Sequence, residues 1–528
     1  MKKNRKSNLG IIIPVIFVVI MILLYYYLPR DTYPENVKNV LELAGDNAKE
    51  LQLVIDNYQN ENDQLKLEAA YFLIGNMSGH CFVNYVLEDT SENEIQFNVN
   101  DYENYDQLIK AFDELENKHG VLDFNKKDKF EDIKTVKSDF LIRHIDAAFN
   151  AWRNKPWAKN LSFEDFCEYV LPYRGSNEPL EDWRQTFVET YASVNLQMAD
   201  STDPIEAAVL INTDIMTYFT FDPRYYYHPT DQSLTEMIEN GFGRCEDMTN
   251  ITIYAFRANA LAVTSDYTPY WANTGNNHAW NAILNRENKV IPFMGCEANP
   301  GEYKLHNKMA KAYRKMFSEQ KQNLYFQKRK QEKMPRWLAG KNYKDVTKDY
   351  VNVCDVAVTF EKEIPDSVDI AYLCVFNSGE WKPIHWGKIE NSITTFTDMG
   401  VGIAYLPALY LNEEIVPYGT PFILQENCNQ KVLKADEENF ININLNKTTE
   451  KKLLVSTDGI SKIYLDSEKI YELHYWDNGW QLISEKSADN KSLIFENVPA
   501  DGLYWLLEKD SKKEERIFTY ENGQQIWW

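Results

Sequence analysis

The feature that most constrains this chain is a change of periodicity near residue 345. Before it, apolar residues recur at helical spacing: Val40, Leu41 and Leu43, then Leu51, Val54 and Ile55, then Leu65, Leu67, Ala70 and Leu73. After it, short apolar runs at 351–360, 370–376, 403–406 and 422–424 are bounded by Pro, Gly, Asn and Asp, the texture of strands. The pattern restarts near 432, with runs at 440–445, 452–456, 470–476, 493–495 and 504–508. Asp477-Asn478-Gly479 between Trp476 and Trp480 reads as a hairpin turn. The fold class expected is α+β. The layout is a transmembrane signal anchor at 1–30, a mostly helical scaffold at 31–200, a core at 201–304, a basic helical hairpin at 305–344, and β-sandwich domains at 345–430 and 431–528. Within the helical region only a short stretch near 94–99 reads as extended.

Composition narrows the function. Aromatics make up 14% of the 528 residues, enough apolar surface to exclude global disorder. The formal charge of −23 argues against a nucleic-acid partner, because an acidic surface repels phosphates. The 7 cysteines include no CxxC pair, so a zinc ribbon is excluded. Their odd number leaves at least one thiol free unless it pairs with another chain.

Lys2, Lys3, Arg5 and Lys6 precede an apolar run at residues 9–28, broken only by Gly10 and Pro14. Twenty helical residues span about 30 Å, the thickness of a bilayer's hydrocarbon core. The basic flank should stay cytoplasmic, which makes the remainder membrane-anchored and extracytoplasmic, periplasmic or at the cell surface. No A-x-A-like cleavage site follows, which favours an uncleaved anchor over a long signal peptide.

The chemistry concentrates at 241–297. Asp203-Pro204 with Glu206, and Ser233 with Glu236, are helix starts, and Gly241 closes the second helix. Gly241-Phe242-Gly243-Arg244 then leads into Cys245, after which Met248, Ile251, Thr252, Ala255 and Ala258 recur at helical spacing. Cys245 therefore sits at a helix N-terminus, where unpaired amides and the helix dipole stabilise a thiolate and can hold an oxyanion. His278 opens a strand of a hairpin, sharing a face with Trp280 and Ala282. A helix-borne Cys against a strand-borne His is what a thiol nucleophile and its base require. Each signal is weak alone, since single buried Cys and His residues are commonly structural. The basic residues Lys308, Lys311, Arg314, Lys315, Lys321, Lys328, Arg329 and Lys330 read as a solvated helical face.

The strings GFGRCEDMTN at 241–250, DYTPYW at 266–271 and NNHAWNAIL at 276–284 resemble the transglutaminase-like superfamily, a branch of the papain-like cysteine hydrolases and acyltransferases. The similarity is specific over about 205–297, and the layout is similar, more loosely, to multidomain bacterial members. The resemblance implies that Cys245 is the nucleophile and His278 the general base. It also implies that Asp247 and Arg257 are framework residues of the Cys245 helix, and that Trp280 packs beneath the histidine. The family's third residue is an acid on the next strand, but that position falls at about Met294, which cannot accept an imidazole N–H as an acid would. Either Glu297 reaches His278 and orients it, or the triad is incomplete. Cys296 reads as a buried thiol.

Such a site would attack a glutamine side chain or a peptide carbonyl of a protein or peptide substrate and form a thioester. An amine would complete cross-linking; water would complete deamidation or proteolysis. The sequence leaves these open. No EF-hand-type loop, P-loop or GxGxxG after a strand is present, so no metal or cofactor is expected. The alternative is a catalytically impaired scaffold whose aromatic β domains bind a glycan or a protein. The terminal Trp527 and Trp528 suit that use, although such residues more often pack back on their own domain.

Overall fold

The computed structural model describes residues 33–61, 63–451, 460–488 and 492–528. The apolar run at 9–28 and the strand expected at 452–456 lie outside the described residues. Among those described, no helix is long and apolar enough to cross a membrane.

Helices Glu35–Ala44, Ala48–Glu61, Gln64–Gly75 and Ser138–Asn154 bury Val37, Val40, Leu51, Val54, Ile55, Leu73, Leu141, Ile145 and Phe149. These side chains belong to the same hydrophobic core as the Cys245 helix. The scaffold and the catalytic candidate thus fold as one body. The scaffold is less helical than its periodicity predicts. An antiparallel ribbon pairs Cys81–Asp89 with Leu122–Glu131, leaving residues 95–98 outside any strand. The ribbon escaped the sequence reading because its second strand, LDFNKKDKFE, is mostly solvated and charged. Pairing and the Phe82–Phe130 stack, with centroids 5.6 Å apart, hold it instead.

Helix Cys245–Ala258 is buried on every side from Asp247 to Ala258. Helices Arg184–Thr190 and Pro204–Ile215 pack against it, and beside it runs an antiparallel sheet. The strand order is Val290–Phe293, His278–Leu284, Val263–Thr268, Tyr313–Lys315 and Tyr343–Asp345.

The last two strands correct the expectation of a basic helical hairpin at 305–344. That segment contributes two sheet strands, the four-residue α-helix Leu324–Gln327 and the 3-10 turn Arg336–Leu338. Several of its cations are not solvated. Lys311 is fully buried and donates to Asp345 Oδ2 and Thr397 O, each at 2.6 Å. Arg314 grips Asp266 through two bonds of 2.9 and 2.8 Å. Tertiary partners override the local helical propensity.

Beyond residue 350, strands Val353–Thr359, Ile370–Asn377, Glu380–Glu390, Ile393–Gly400, Ile403–Leu411, Glu414–Pro417, Phe422–Leu424 and Gln430–Val432 form one eight-stranded sheet. The sheet curls, so that Val356, Leu373, Phe396, Tyr405 and Phe422 meet in one cluster. Cys354 and Cys428, 74 residues apart, form a disulfide. The final domain centres on a five-stranded sheet that contains Ile470–Trp476, Trp480–Ser487 and Tyr504–Glu508. Trp476 and Trp480 face each other across the turn read from sequence. Phe376, Leu406, Trp476, Trp505 and Leu507 fuse the two β domains through a shared apolar interface. Trp527 and Trp528 pack back against the β domains' cores.

The disulfide closes a long loop, so Cys428→Ser should cost about 2–4 kcal/mol in denaturant unfolding of that domain. An unfolding midpoint equal to that of the unaltered protein would contradict this.

Candidate active site

The approach to Cys245 is fixed by local signals. Asp203 caps its helix by accepting from Ile205 N at 3.0 Å. Ser233 and Glu236 form a reciprocal capping box, and Gly241 ends that helix at φ +69°. Gly243 is needed for space, because a Cβ there would fall 2.6 Å from Asp247 Cβ and 2.8 Å from Phe219 Cζ. Asp247 accepts from Arg244 N at 3.0 Å and Gln232 N at 2.9 Å, tying the turn to the helix. The first bond of the helix ladder is Met248 N to Arg244 O, 3.0 Å. The amides of Cys245 and Glu246 therefore precede the ladder, as helix geometry requires. Arg257, at the other end, donates to the carbonyls of Tyr169, Pro172, Arg174 and Val263. Its role here is structural.

His278 opens its strand opposite Thr268. Leu284 N donates to Ala262 O, so alternate amides of this strand point to the Val263–Thr268 side and the others point away. Ala279 points away, toward the neighbouring strand Val290–Phe293. That strand pairs no further than Phe293 with Asn281. The Ala279 amide is thereby left by the ladder, and it hydrogen-bonds the Cys245 sulfur. This is where helix and strand meet: Cys245 lies against the residue that follows His278.

Burial governs the charges. It pushes the Cys245 thiol up to about 11; the Glu246 carboxylate adds to the rise and the Ala279 amide opposes it. Burial pushes the His278 imidazole down to about 4. The resting pair is neutral thiol and neutral imidazole. His278 is enclosed by Trp271 and Trp280, each ring centroid 6.0 Å away. Trp280 is fully buried and donates to Tyr350 Oη at 3.0 Å; Tyr350 in turn donates to Asp266.

Of the two alternatives, a Glu297 contact to His278 is not found among the described residues. Met294 is fully buried in the core, where it cannot act as an acid. Glu297 sits on the tight turn in which Ala298 N donates to Met294 O, its side chain exposed. Instead His278 Nε2 lies 2.6 Å from Tyr303 Oη. Tyr303 follows the turn at Gly301, in a segment with no strand, so no periodicity pointed to it. Burial and the nearby Glu297 raise its phenol, which stays protonated. A carboxylate would force Nε2–H; a phenol can donate or accept, so it positions the ring without dictating the tautomer. Nε2 is thereby engaged by Tyr303. Cys296 is a buried thiol at 3.6 Å from Thr252 Oγ1.

Cys245 lines a cleft of about 580 Å³. Asn277 and Ala279 come from the His278 strand and its preceding loop, Tyr85 and Phe124 from the ribbon, and Lys315, Arg336 and Trp337 from the 305–344 segment. Its acids are paired: Asp231 with Arg244 at 2.8 Å, and Glu246 with Lys315. Tyr226 also lines the cleft, and burial, with a smaller contribution from the nearby Cys245, raises its phenol.

The sequence profile of the transglutaminase-like superfamily matches residues 192–293. The chain contains a transglutaminase-like domain. The match spans the Cys245 helix, the His278 strand and the strand after it, and ends just before Met294. None of the curated proteins compared matches the chain.

Because the Cys245 thiol is raised in the fold, it should be alkylated slowly at neutral pH. Its rate should climb only above about pH 9, with an apparent pKa well over the usual value near 8.5. Iodoacetamide kinetics mapped to Cys245 by mass spectrometry would measure this, and a midpoint at or below 8.5 would contradict it.

Proposed function

We propose that this protein is an extracytoplasmic, membrane-anchored thiol acyltransferase or amide or peptide hydrolase that uses Cys245 and His278. The observation that carries the reading is the junction at Ala279, where the sulfur at a helix N-terminus lies beside the histidine strand within an accessible cleft. In this reading His278 Nδ1 takes the thiol proton as the sulfur attacks a substrate carbonyl. The amides at the start of the Cys245 helix hold the oxyanion. The proton passes to the leaving nitrogen, the C–N bond breaks and a thioester remains. Water or an amine then releases it. Tyr303 is the positioning residue that holds the ring through Nε2. General-base help of this kind is worth about 10²–10⁴-fold.

Glutamine-containing peptides, followed for ammonia and amine release, test the reading. Cys245→Ala should give no product, His278→Ala should be slowed at least about 100-fold, and Tyr303→Phe should retain activity at about a tenth. Unchanged product formation by Cys245→Ala would refute the site.

The location rests on the apolar run at 9–28 and on the Cys354–Cys428 disulfide, a bond that persists in oxidising compartments. Protease accessibility in intact cells or spheroplasts tests it, and full protection of the chain would refute it. A second reading, a non-catalytic scaffold, is favoured by a groove of about 530 Å³ lined by Tyr270, Trp381, Tyr410, Trp476 and Trp480. That groove suits a glycan or protein partner. Oligosaccharide titration with Trp480→Ala tests it; binding indifferent to the substitution would count against it.

A further inference from the structure

The segment 271–277 leads into His278, and the core domain does not hold it alone. Asn377, at the end of strand Ile370–Asn377 in the first β domain, is buried. Its Nδ2 donates to Trp271 O at 2.9 Å, Thr274 O at 3.0 Å and Asn276 O at 2.9 Å. Arg516, from the last domain, is 2% exposed. Its Nη2 donates to Ala272 O at 2.7 Å and its Nη1 to Phe376 O at 2.6 Å, with Thr274 O at 3.5 Å. Its Nε donates to the main-chain oxygen of Trp528 at 2.8 Å. One guanidinium therefore joins the pre-histidine loop, the first β domain and the C-terminal segment.

The loop carries parts of the site. The Trp271 ring stacks on His278 with a 29° interplanar angle, and Asn277 lines the Cys245 cleft. The loop's own closure is Trp271 N to Asn276 O, 3.1 Å. Asn276 sits at φ +65°, a conformation that its neighbours must hold in place. The Asn and Arg side chains bond carbonyls of Trp271, Ala272, Thr274 and Asn276, so the β domains fix the loop backbone at four of its seven residues.

We propose that Asn377 and Arg516 are positioning residues for His278, making both β domains structural members of the active site rather than appended binding modules. Removing Asn377 takes away the donor to Trp271 O and removing Arg516 the donor to Ala272 O, and the loop moves to find new partners. Trp271 moves with it, and the imidazole loses its stacked wall. The inference rests on the Cys245–His278 reading for its effect on chemistry, but not for its effect on geometry.

The test uses the full chain with Asn377→Ala, Arg516→Met and the conservative Arg516→Lys, each checked for cooperative thermal unfolding. Two readouts separate the possibilities. The first is the pH–rate profile of Cys245 alkylation, with His278→Ala as reference. Asn377→Ala and Arg516→Met should fall to the His278→Ala profile, and Arg516→Lys should recover part of the difference. The second is the Cε1–H resonance of His278, assigned among the 8 histidines by His278→Gln. It should shift in Asn377→Ala and Arg516→Met as the Trp271 ring current changes. If His278→Ala itself leaves alkylation unchanged, the functional reading fails and the resonance alone decides the clamp. Should Arg516→Met fail to fold, Asn377→Ala carries both readouts. A folded Asn377→Ala or Arg516→Met protein with an unshifted His278 resonance and an unaltered alkylation profile would overturn the proposal.

Discussion

Everything at the candidate site depends on one contact: the amide of Ala279 against the sulfur of Cys245. It exists because two elements end where they do. Strand Val290–Phe293 pairs no further than Asn281, which leaves the next outward amide of the His278 strand without a ladder partner. The Cys245 helix begins there because Gly243 permits the close turn and Asp247 fastens it. Farther along the same junction, Gly295 lets helix and strand approach: a Cβ there would lie 2.1 Å from Thr252 Oγ1 and 2.7 Å from Asn281 Oδ1. Burial around this contact sets the chemistry. It raises the Cys245 thiol and lowers the His278 imidazole, so in the proposed reaction the proton would move with the attack.

The site's supporting groups are scattered through the chain. The Trp280, Tyr350, Asp266 and Arg314 side chains form a buried polar chain beneath His278. Lys315 brings a cation to Glu246 in the cleft, and the ribbon at 81–89 and 122–131 supplies its aromatic wall. Half-satisfied networks of this kind are costly and complete ones rigidify a core. Regions that read as scaffold and hairpin therefore line the same cleft as Cys245.

What was legible in the sequence was local. Capping at Asp203 and Ser233, the left-handed Gly241, the Cys245 helix and the turn at 477–479 each depend on residues a few positions apart, and each is present. The packing of the Cys245 helix against the His278 strand was readable because a known family pattern carries it. What was not legible depends on pairing across the chain. Tyr303 meets His278 from a segment without periodicity. The strands at 313–315 and 343–345 owe their conformation to sheet partners, and the basic residues around them to Asp345, Asp266 and Glu246. The charged ribbon strand at 122–131 carries no strand signature at all. Met294 lies buried in the core and Glu297 is exposed, so the group that meets His278 lay beyond the reach of spacing.

The most direct test of the central claim is capture of the covalent intermediate. The folded protein would be mixed with a chromogenic acyl ester and quenched for intact-mass and peptide mapping. The account predicts a single acyl adduct on Cys245, formed with a burst of leaving group and at least about 100-fold slower in His278→Ala. An adduct spread over other nucleophiles, or one on Cys245 that forms equally fast without the imidazole, would contradict it.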